Sequence, residues 1–380
     1  MTSVVIAEYV RSPYTLAYKG ALKSVRADEL AAQTVLGLIK KSGVDPKKIE
    51  DLILGCAFPE GEQGFNLARL VVLHAGLPES IGGTTVNRFC GSSMQAIHMA
   101  AGNIRMGAGD AFICAGVESM SRVPMTGFNP MPNPELYKKN PGAYMGMGKT
   151  AENLAKKYKI SREKQDEFAV LSQDKAAAAV KKKAFKDEII PIQTRYGIVK
   201  EDGCPRPGTD AASLAGLKPA FDENGSVTAG TASPLTDGAS AVLVCSAEFA
   251  KKNKLKPIAE IKSFAISGCD PKIMGIGPVE SSKKALKRAG LKMSDIDIIE
   301  LNEAFASQSL AVIHDLKLKD SMDKINLDGG AIALGHPLGS TGARITGKLA
   351  SLLQREGKKY GLATQCIGGG QGIATVLEAL

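Results

Sequence analysis

The stretch from Thr84 to Ile97, TTVNRFCGSSMQAI, has the pattern of a reactive cysteine placed between a strand and a helix. A β-branched run precedes Cys90, and apolar residues at helical spacing follow it: Met94, Ile97, Ala101 and Ile104. The first amides of a helix have no internal partner and carry partial positive charge, so we expect them to lower the pKa of the Cys90 thiol. Gly91 would let a substrate approach the backbone, and Ser92 or Ser93 would cap the helix. A small apolar cysteine buried in a turn fits this stretch equally well.

Three further motifs in the C-terminal third favour the nucleophile. The run NEAFA, which begins at Asn302, follows a predicted strand, and the run GHPLGSTGAR, which contains His336, opens a predicted helix. The run CIGGGQG begins at Cys366 and follows another strand. Histidine is the natural base for a thiol, and Asn302 could hold a water or donate a hydrogen bond to a developing oxyanion. The amides of the glycines after Cys366 could form a second nest of donors.

Composition restricts the class of protein. The 380 residues predict two to three domains with a substantial core, and 44% of them are hydrophobic. The net charge of +9 comes from scattered lysines without an RNA-binding, zinc-finger or basic-zipper pattern, so we expect no nucleic-acid partner. That balance would instead attract a polyanionic small substrate such as a nucleotide thioester. The seven cysteines form no CxxC pair, which argues against a disulfide framework, a zinc site or any other metal site.

Membrane and targeting signals are also missing from the sequence. No apolar run approaches the ~20 residues that span a bilayer, so we expect no membrane insertion. The N-terminal residues have neither a signal-peptide pattern nor an Arg- and Ser-rich amphipathic leader. We therefore expect a cytoplasmic protein.

The first 117 residues alternate strands with helices, which predicts an α/β unit with a mostly parallel sheet. The predicted strands are Val4–Ile6, Asp51–Leu54, Thr84–Val86 and Ala111–Ala115. The predicted helices are Ala27–Ser42, Asn66–Ala75 and Gly91–Met106.

Residues 118–236 differ from this pattern and predict an inserted loop domain. Prolines and glycines mark an irregular excursion, and a long helix is predicted over Thr150–Lys183. An insertion of this length is usually a binding loop or a lid, although a passive packing or oligomerisation element is the alternative.

Residues 255–380 form a second α/β unit that repeats the first. The run from Gly43 to Ile49 leads into the strand at Asp51, and the run from Gly290 to Ile296 leads into a strand at Asp297. The sequence therefore predicts two similar halves, residues 1–117 with 237–254 and residues 255–380, with the site between them.

Four motifs in this order, NRFCGSSMQ, NEAF, GHPLGSTGAR and CIGGGQG, resemble the thiolase family over the whole chain. The resemblance implies a five-layer αβαβα fold of two similar halves with an inserted loop domain. It also implies acyl transfer on acyl-coenzyme A, with coenzyme A as a substrate and no separate cofactor.

The resemblance also implies a role for each matching residue. Cys90 corresponds to the nucleophile that accepts the acyl group, His336 to the residue that activates it, and Cys366 to the second cysteine, which moves a proton to or from the attacking thiol or the acetyl carbon. Asn302, acting through a water, and His336 correspond to one oxyanion hole, and the amides of Cys90 and Gly368 to the other. Expected contacts to substrate or coenzyme A are Met147, Arg206, Ser213, Ala232, Ser233, Met274, Ala304 and Phe305. Either serine could instead be an ordinary turn residue.

Some residues are expected to act indirectly or not at all. Glu303 is expected to orient its neighbours, with a direct acid role as the alternative. His74, His98 and His314 match no motif, and the other five cysteines are expected to be packing residues.

The motifs favour the degradative 3-ketoacyl-coenzyme A thiolases over the biosynthetic acetoacetyl-coenzyme A thiolases. Gly146 stands where biosynthetic members carry a histidine, which predicts room for longer acyl groups. Two further alternatives are a ketoacyl carrier-protein synthase, which the second cysteine loop disfavours, and a non-catalytic acyl-coenzyme A-binding protein. The resemblance implies a homodimer or homotetramer, with a multifunctional hydratase/dehydrogenase subunit as a further partner.

Overall fold

A computed structural model describes residues 2–380, which form twelve strands and twelve α-helices. The strands are Val4–Arg11 (β1), Thr15–Leu16 (β2), Asp51–Gly55 (β3), Gly82–Val86 (β4), Ala111–Ser119 (β5), Ile192–Thr194 (β6), Gly197–Val199 (β7), Thr236–Ser246 (β8), Ala259–Gly268 (β9), Ile298–Leu301 (β10), Tyr360–Ile367 (β11) and Gln371–Ala379 (β12). The helices are Ala27–Ser42 (α1), Leu67–His74 (α2), Ser92–Arg105 (α3), Pro134–Lys139 (α4), Met147–Tyr158 (α5), Arg162–Lys181 (α6), Ala211–Ala215 (α7), Ala247–Lys252 (α8), Gly277–Ala289 (α9), Ala306–Asp315 (α10), Ala331–Leu334 (α11) and Thr341–Glu356 (α12).

Two half-sheets with related strand orders meet at β1 and β9. The order is β4-β3-β5-β8-β1 in the N-terminal half and β9-β12-β11-β10 in the C-terminal half. In each half the pairs farther from the junction are parallel, β3 with β4 and β5 and β10 with β11, and the pairs nearer the junction are antiparallel. Only Val5 with Glu260 and Ile6 with Ala259 pair across the junction. Strands β5 and β8 are buried along their whole length because helices cover both faces of the sheet.

Three apolar clusters define five layers. Helices α1 and α2 pack on the outer face of the N-terminal half-sheet, and α9 and α10 pack on the outer face of the C-terminal one. Helices α3 and α12 lie between the half-sheets, since their apolar side chains share one cluster with Ile53 and Val242 on one side and Ile298 and Ala363 on the other. The layers therefore run helix, sheet, helix, sheet, helix, and the repeat seen in the sequence appears in three dimensions.

The two glycine-containing runs adopt the same conformation. Gly43 ends α1 with φ 69°, and Gly290 ends α9 with φ 71°. Each is followed by a short 3-10 turn and then a strand, β3 or β10. Glycine fits both helix ends because it takes the left-handed conformation without a Cβ penalty.

The insertion differs from the prediction in its helices. The single helix predicted over Thr150–Lys183 is wrong, since Lys159 adopts φ 51° and separates α5 from α6. The hydroxyl of Ser161 then accepts from the Lys164 amide, 3.4 Å away, as the N-cap of α6. The domain boundaries expected from the sequence stay predictions. Within residues 2–380, no helix combines the length and apolar character that a membrane span requires.

Candidate active site

Three loops and the end of one strand bring the predicted catalytic residues together. Cys90 lies between β4 and α3, and Asn302 follows β10. His336 lies between α11 and α12, and Cys366 lies near the end of β11. The Gln365 side-chain amide donates to the backbone carbonyl of Cys90, which ties the two cysteine loops directly. The site therefore lies where the two halves face each other.

Cys90 is buried, with 6% of its surface exposed, in a tight turn before α3. The amide of Gly91 donates to the Arg88 carbonyl at 2.9 Å, and Phe89 adopts φ 43°, an uncommon conformation for a bulky side chain. The backbone amides of Gly368 and of Cys90 itself act on the Cys90 thiol and lower its pKa. The same two amides are expected to form an oxyanion hole, and that role stays a prediction.

The expectation that the Cys90 pKa is lowered is wrong. Burial raises the pKa of the thiol to about 12, although the two amides lower it, and the charge of Glu118 raises it further. The thiol loses its hydration in this pocket, and two neutral donors do not replace it. The resting residue is therefore a thiol, and its proton must leave as the substrate reacts.

The predicted roles of the residues after Cys90 also change. Gly91 is the N-cap of α3, and no side chain of residues 2–380 caps that helix. Ser92 Oγ accepts from the Arg88 amide at 2.9 Å, and Ser93 Oγ accepts from the Ala343 amide at 2.8 Å, so both serines hold neighbouring loops instead. A Cβ on Gly91 would lie 2.6 Å from the Ile367 side chain, so the glycine serves close packing against β11 rather than substrate access.

The hydrogen bonds around His336 select one tautomer. Nδ1 lies 2.6 Å from Thr341 Oγ1, and that hydroxyl donates its own proton to the Pro337 carbonyl at 2.9 Å. Nδ1 therefore carries the hydrogen, and Nε2, 3.3 Å from the Asn302 side-chain amide, presents a lone pair. Burial, helped by the charge of Arg344, lowers the pKa of His336 to about 3, so the imidazole is neutral.

Asn302 and Cys366 complete the centre. Asn302 is fully buried, and its Oδ1 has no hydrogen-bond partner among the described residues. Cys366 is also fully buried, and burial raises the pKa of its thiol well above the usual value, with the nearby Cys90 adding to the shift. Neither cysteine is thus a resting thiolate, and Cys90 lies near enough to raise the pKa of Cys366.

Most of the predicted substrate contacts gather around Cys366. One apolar cluster contains this thiol together with Met147, Ala232, Met274, Ala304 and Phe305. Ala232 pairs with Phe305 as an isolated β-bridge, and the Ser233 amide donates to the Ala304 carbonyl at 3.0 Å. Six of the eight predicted contacts therefore line or adjoin the second cysteine.

The other two predicted contacts lie apart from this cluster. The Arg206 side chain is exposed, and its amide donates to Gln173 Oε1 at 2.9 Å. Ser213 belongs to the capping box of α7, where its hydroxyl donates to the Asp210 carbonyl at 2.8 Å. Contacts of both residues with coenzyme A stay predictions.

Several residues of the site were not found from the sequence. Glu118, Thr341 and Gln365 are buried polar side chains that contact the catalytic loops. Glu118 had a usable signal, because a carboxylate at the end of the otherwise apolar run AFICAGVES needs buried partners. Glu303 has the orienting position expected for it, since Ser172 Oγ and Asn326 Nδ2 both donate to its carboxylate at 2.6 Å.

Comparison with known proteins agrees with this arrangement. Residues 4–248 match the family model "Thiolase, N-terminal domain", and residues 255–379 match "Thiolase, C-terminal domain". The chain is 52% identical to a 3-ketoacyl-CoA thiolase of Marinobacter nauticus, over 99% of this chain and 98% of that one. It is 46% identical to a 3-ketoacyl-CoA thiolase of Bacillus subtilis, over the full length of both.

Solved structures extend the likeness to the fold. The Bacillus anthracis acetyl-CoA acetyltransferase superposes with a TM-score of 0.91 at 41% identity, covering 100% of this chain and 99% of that chain. The human mitochondrial 3-ketoacyl-CoA thiolase in complex with CoA also gives 0.91, at 39% identity, covering 100% and 98%. The predicted fold is confirmed, and the chain belongs to the thiolase family.

Proposed function

We propose that this protein cleaves 3-ketoacyl-coenzyme A with coenzyme A, giving acetyl-coenzyme A and a shortened acyl-coenzyme A through an acyl-Cys90 intermediate. The observation that carries the proposal is a neutral imidazole whose Nε2 presents a lone pair, beside Asn302, in the same buried centre as the thiols of Cys90 and Cys366. The relatives named 3-ketoacyl-CoA thiolase, at 46–52% identity over nearly the whole chain, support the same reaction.

The first half-reaction forms the acyl-enzyme. Cys90 Sγ attacks the 3-keto carbon as His336 Nε2 takes the thiol proton, so charge appears only as the new bond forms. The bond between the second and third carbons then breaks, and the leaving acetyl carbon takes the proton of Cys366. Acetyl-coenzyme A departs and leaves acyl-Cys90, an imidazolium at His336 and a thiolate at Cys366.

The second half-reaction restores the resting state. Coenzyme A gives its thiol proton to the Cys366 thiolate and attacks acyl-Cys90. As the intermediate collapses, Cys90 leaves and recovers its proton from His336. The amides of Cys90 and Gly368 and the pair of Asn302 and His336 supply two sets of donors for the oxyanions of these steps.

A single experiment tests the covalent step. Incubation with a 3-ketoacyl-coenzyme A in the absence of free coenzyme A should add one acyl group to the peptide that contains Cys90, as measured by mass spectrometry. Cys90→Ala should lose the label and the turnover. An acyl group on another residue, or full turnover in Cys90→Ala, would contradict the proposal.

Condensation of two acetyl-coenzyme A molecules is the second candidate function, and one observation weighs against it as the sole activity. Apart from its chain neighbours, a Cβ on the exposed Gly146 would have no atom of the described residues within 4 Å, so open space adjoins Met147, which packs against the Cys366 cluster. Longer acyl chains need such space. We therefore propose that this site accepts 3-ketoacyl groups longer than acetoacetyl, in fatty-acid β-oxidation. Cleavage rates along a series of acyl lengths test this, and activity on acetoacetyl-coenzyme A alone would contradict it.

The proposed assembly is a homo-oligomer built on the open edge of β4. This strand pairs only with β3, and an open strand edge is a template for pairing with another chain. Phe65, which is 95% exposed, lies near it, since Asn66 contacts the Gly83 carbonyl. A dimer in light scattering supports this surface, and a fully active monomer would contradict it.

Further partners, location and cofactors are also proposals. We propose a cytoplasmic enzyme that can dock with a multifunctional hydratase/dehydrogenase subunit, and that needs coenzyme A as substrate but no metal or prosthetic group. The reaction above moves every proton between protein groups and substrates, so dialysis against a chelator should leave the turnover unchanged.

A further inference from the structure

Glu118 has the densest set of hydrogen bonds near the active site, although neither the mechanism nor the sequence motifs use it. Its side chain is buried at the end of β5, with 1% of the residue exposed. The Ala57 and Gly339 amides donate to Oε2 at 2.8 Å each. The Phe58 amide at 3.2 Å and the Gln63 side-chain amide at 2.8 Å donate to Oε1. Four nitrogen donors on two oxygens are satisfied by an ionised carboxylate and by no neutral group of the same shape.

These donors come from both halves of the molecule. Ala57 and Phe58 follow β3 in the N-terminal half, whereas Gly339 belongs to the loop that carries His336. The loop lies directly on the N-terminal half here. A Cβ on Gly116 would come within 2.2 Å of the Gly339 carbonyl oxygen, and a Cβ on Gly339 within 2.7 Å of Cys56 Cα. Glu118 therefore accepts hydrogen bonds from both backbones at a point where they lie in close contact.

We propose that Glu118 is a positioning residue for the reaction, which fixes the His336 loop against the half of the molecule that carries Cys90. The inference rests on the proposed function, since it assigns His336 as the base for Cys90. Glu118 contacts no reacting atom of the proposed reaction. Glu118 acts through Gly339, which lies three residues from His336 in the same loop. A small displacement of the His336 imidazole from Cys90 would lower the turnover rate strongly.

The charge of Glu118 gives a second, separate consequence. It raises the pKa of the Cys90 thiol, and it also raises the pKa of the Cys56 thiol, whose sulfur lies 3.7 Å from Oε1. The other titratable groups of the centre are His336 and Cys366. Removing the negative charge should therefore ionise Cys90 at a lower pH, while the misplaced base slows turnover. Replacement of a purely structural residue would slow turnover without making Cys90 ionise at a lower pH.

Two variants and one control separate position from charge. Glu118→Gln removes the negative charge. It also replaces one carboxylate oxygen by an NH2 group, which faces an N–H donor and cannot accept its hydrogen bond. Glu118→Asp keeps the charge on a shorter side chain that no longer reaches Gly339. Asp166→Asn is the control, because Asp166 is a buried carboxylate, 4% exposed, that pairs with Arg162 within α6. For each protein, kcat and KM are measured per folded molecule, together with the pH profile of iodoacetamide alkylation at the Cys90 peptide.

The expected results differ among the three proteins. In Glu118→Gln, kcat falls on the order of 100-fold and the alkylation profile moves to lower pH, with KM unchanged. In Glu118→Asp, kcat falls while the profile stays at its wild-type position. Asp166→Asn matches the wild type in both. Wild-type kcat in Glu118→Gln, or a lowered kcat with a wild-type alkylation profile, would overturn the proposal.

The proposal can also be tested if the Glu118 variants do not fold, or if the wild-type protein lacks the proposed activity. If neither Glu118 variant folds, Gln63→Met removes one donor from the carboxylate and leaves the three amides. It should lower kcat and leave KM unchanged, and wild-type kcat in that folded variant would count against Glu118. If the wild-type protein cleaves no 3-ketoacyl-coenzyme A, the proposed function fails, while the alkylation profiles still decide whether Glu118 controls Cys90.

Discussion

The proton on His336 Nδ1 is held by a single hydroxyl, so Thr341 decides which nitrogen of the imidazole can act as base. Its Oγ1 cannot donate to Nδ1, because its own proton points to the Pro337 carbonyl. The neutral imidazole and the raised thiol pKa of Cys90 describe a resting pair without charge. The resting site therefore contains no thiolate at Cys90. The thiolate and the imidazolium form only as Cys90 attacks a substrate carbonyl.

Thr341→Val tests this assignment, because valine keeps the shape and removes the acceptor. We expect kcat/KM to fall about 10- to 100-fold, the usual scale for losing the partner that orients a functional histidine. Thr346→Val is a matched control on the same buried helix, since its hydroxyl contacts only the Gly342 carbonyl at 2.8 Å. Thr341→Ser should remain close to wild type. Equal kcat/KM in the two valine variants would show that Thr341 does not set the tautomer.

The residues that carry the chemistry could be named from sequence, whereas their ionisation could not. Cys90, His336 and Asn302 each follow or precede a regular element in a motif, and parallel topology brings such ends together. Cys366 was expected just after a strand and lies inside its end, because β11 continues to Ile367. The pKa of Cys90 depends instead on how completely the pocket excludes water and on the charge of Glu118, and both are properties of the packed site. A sequence motif predicts which backbone amides lie near the Cys90 thiol, but it does not predict how completely water is excluded from that thiol.

Four α-helices within residues 2–380 end at a residue in the left-handed conformation, and three of these residues are glycines. Gly43, Gly290 and Gly357 end α1, α9 and α12 with φ between 60° and 71°. Lys159 ends α5 with φ 51° and has no such freedom. The predicted continuous helix fails at this residue because lysine gives no sequence signal for a stop. The break lets α5 and α6 pack as two separate helices, each against α10. Helix α1, by contrast, which ends at a glycine, was predicted with the bounds that the structure shows, Ala27–Ser42.

Lys159→Gly should therefore stabilise the protein. A non-glycine residue in the left-handed region costs about 1 kcal/mol, so we expect the free energy of unfolding to rise by about 0.5–1 kcal/mol. Lys157→Gly, two residues earlier on the same exposed surface, should lower it by a similar amount, since glycine within a helix is unfavourable. Denaturant unfolding of both variants measures the difference, and a loss of stability in Lys159→Gly would show that the break is not strained.

At the scale of the whole molecule, a buried network of charges joins the two halves to the insertion. Asp328, before α11, accepts from Arg355 at 2.7 and 2.9 Å and from Lys348 at 2.6 Å. Lys348 also pairs with Glu188 of the insertion at 3.0 Å, and Glu188 pairs with Arg11 of β1 at 2.7 Å. None of these residues was singled out from the sequence. Glu188 lies 177 positions from Arg11 and 160 from Lys348, and the partners of Asp328 lie on a separate helix, so no pair leaves a local pattern.

This network gives the fold a predictable dependence on pH. Burial alone would raise the pKa of Asp328, but hydrogen bonds from Arg355 and the charge of Lys348 hold it below its ordinary value. Burial likewise acts against Glu188, yet Lys348 and Arg11 hold its pKa low. A carboxylate whose pKa is lower folded than unfolded stabilises the fold above the unfolded pKa of about 4. That contribution is lost as the pH falls through the folded pKa.

Asp328→Asn should therefore destabilise the protein in a way that depends on pH. At pH 7 we expect the free energy of unfolding to fall by about 2–3 kcal/mol, below the usual cost of breaking a buried pair because Lys348 keeps Glu188 and Arg355 is partly exposed. As the pH falls below the unfolded pKa of about 4 and through the lower folded pKa of Asp328, the wild type also loses this charge, so the difference should shrink. Glu356→Gln, which breaks an exposed pair with the same Arg355, should change stability by less than about 1 kcal/mol. Denaturant unfolding at several pH values measures all three proteins, and a difference between wild type and Asp328→Asn that stayed constant with pH would show that the carboxylate charge does not stabilise the network.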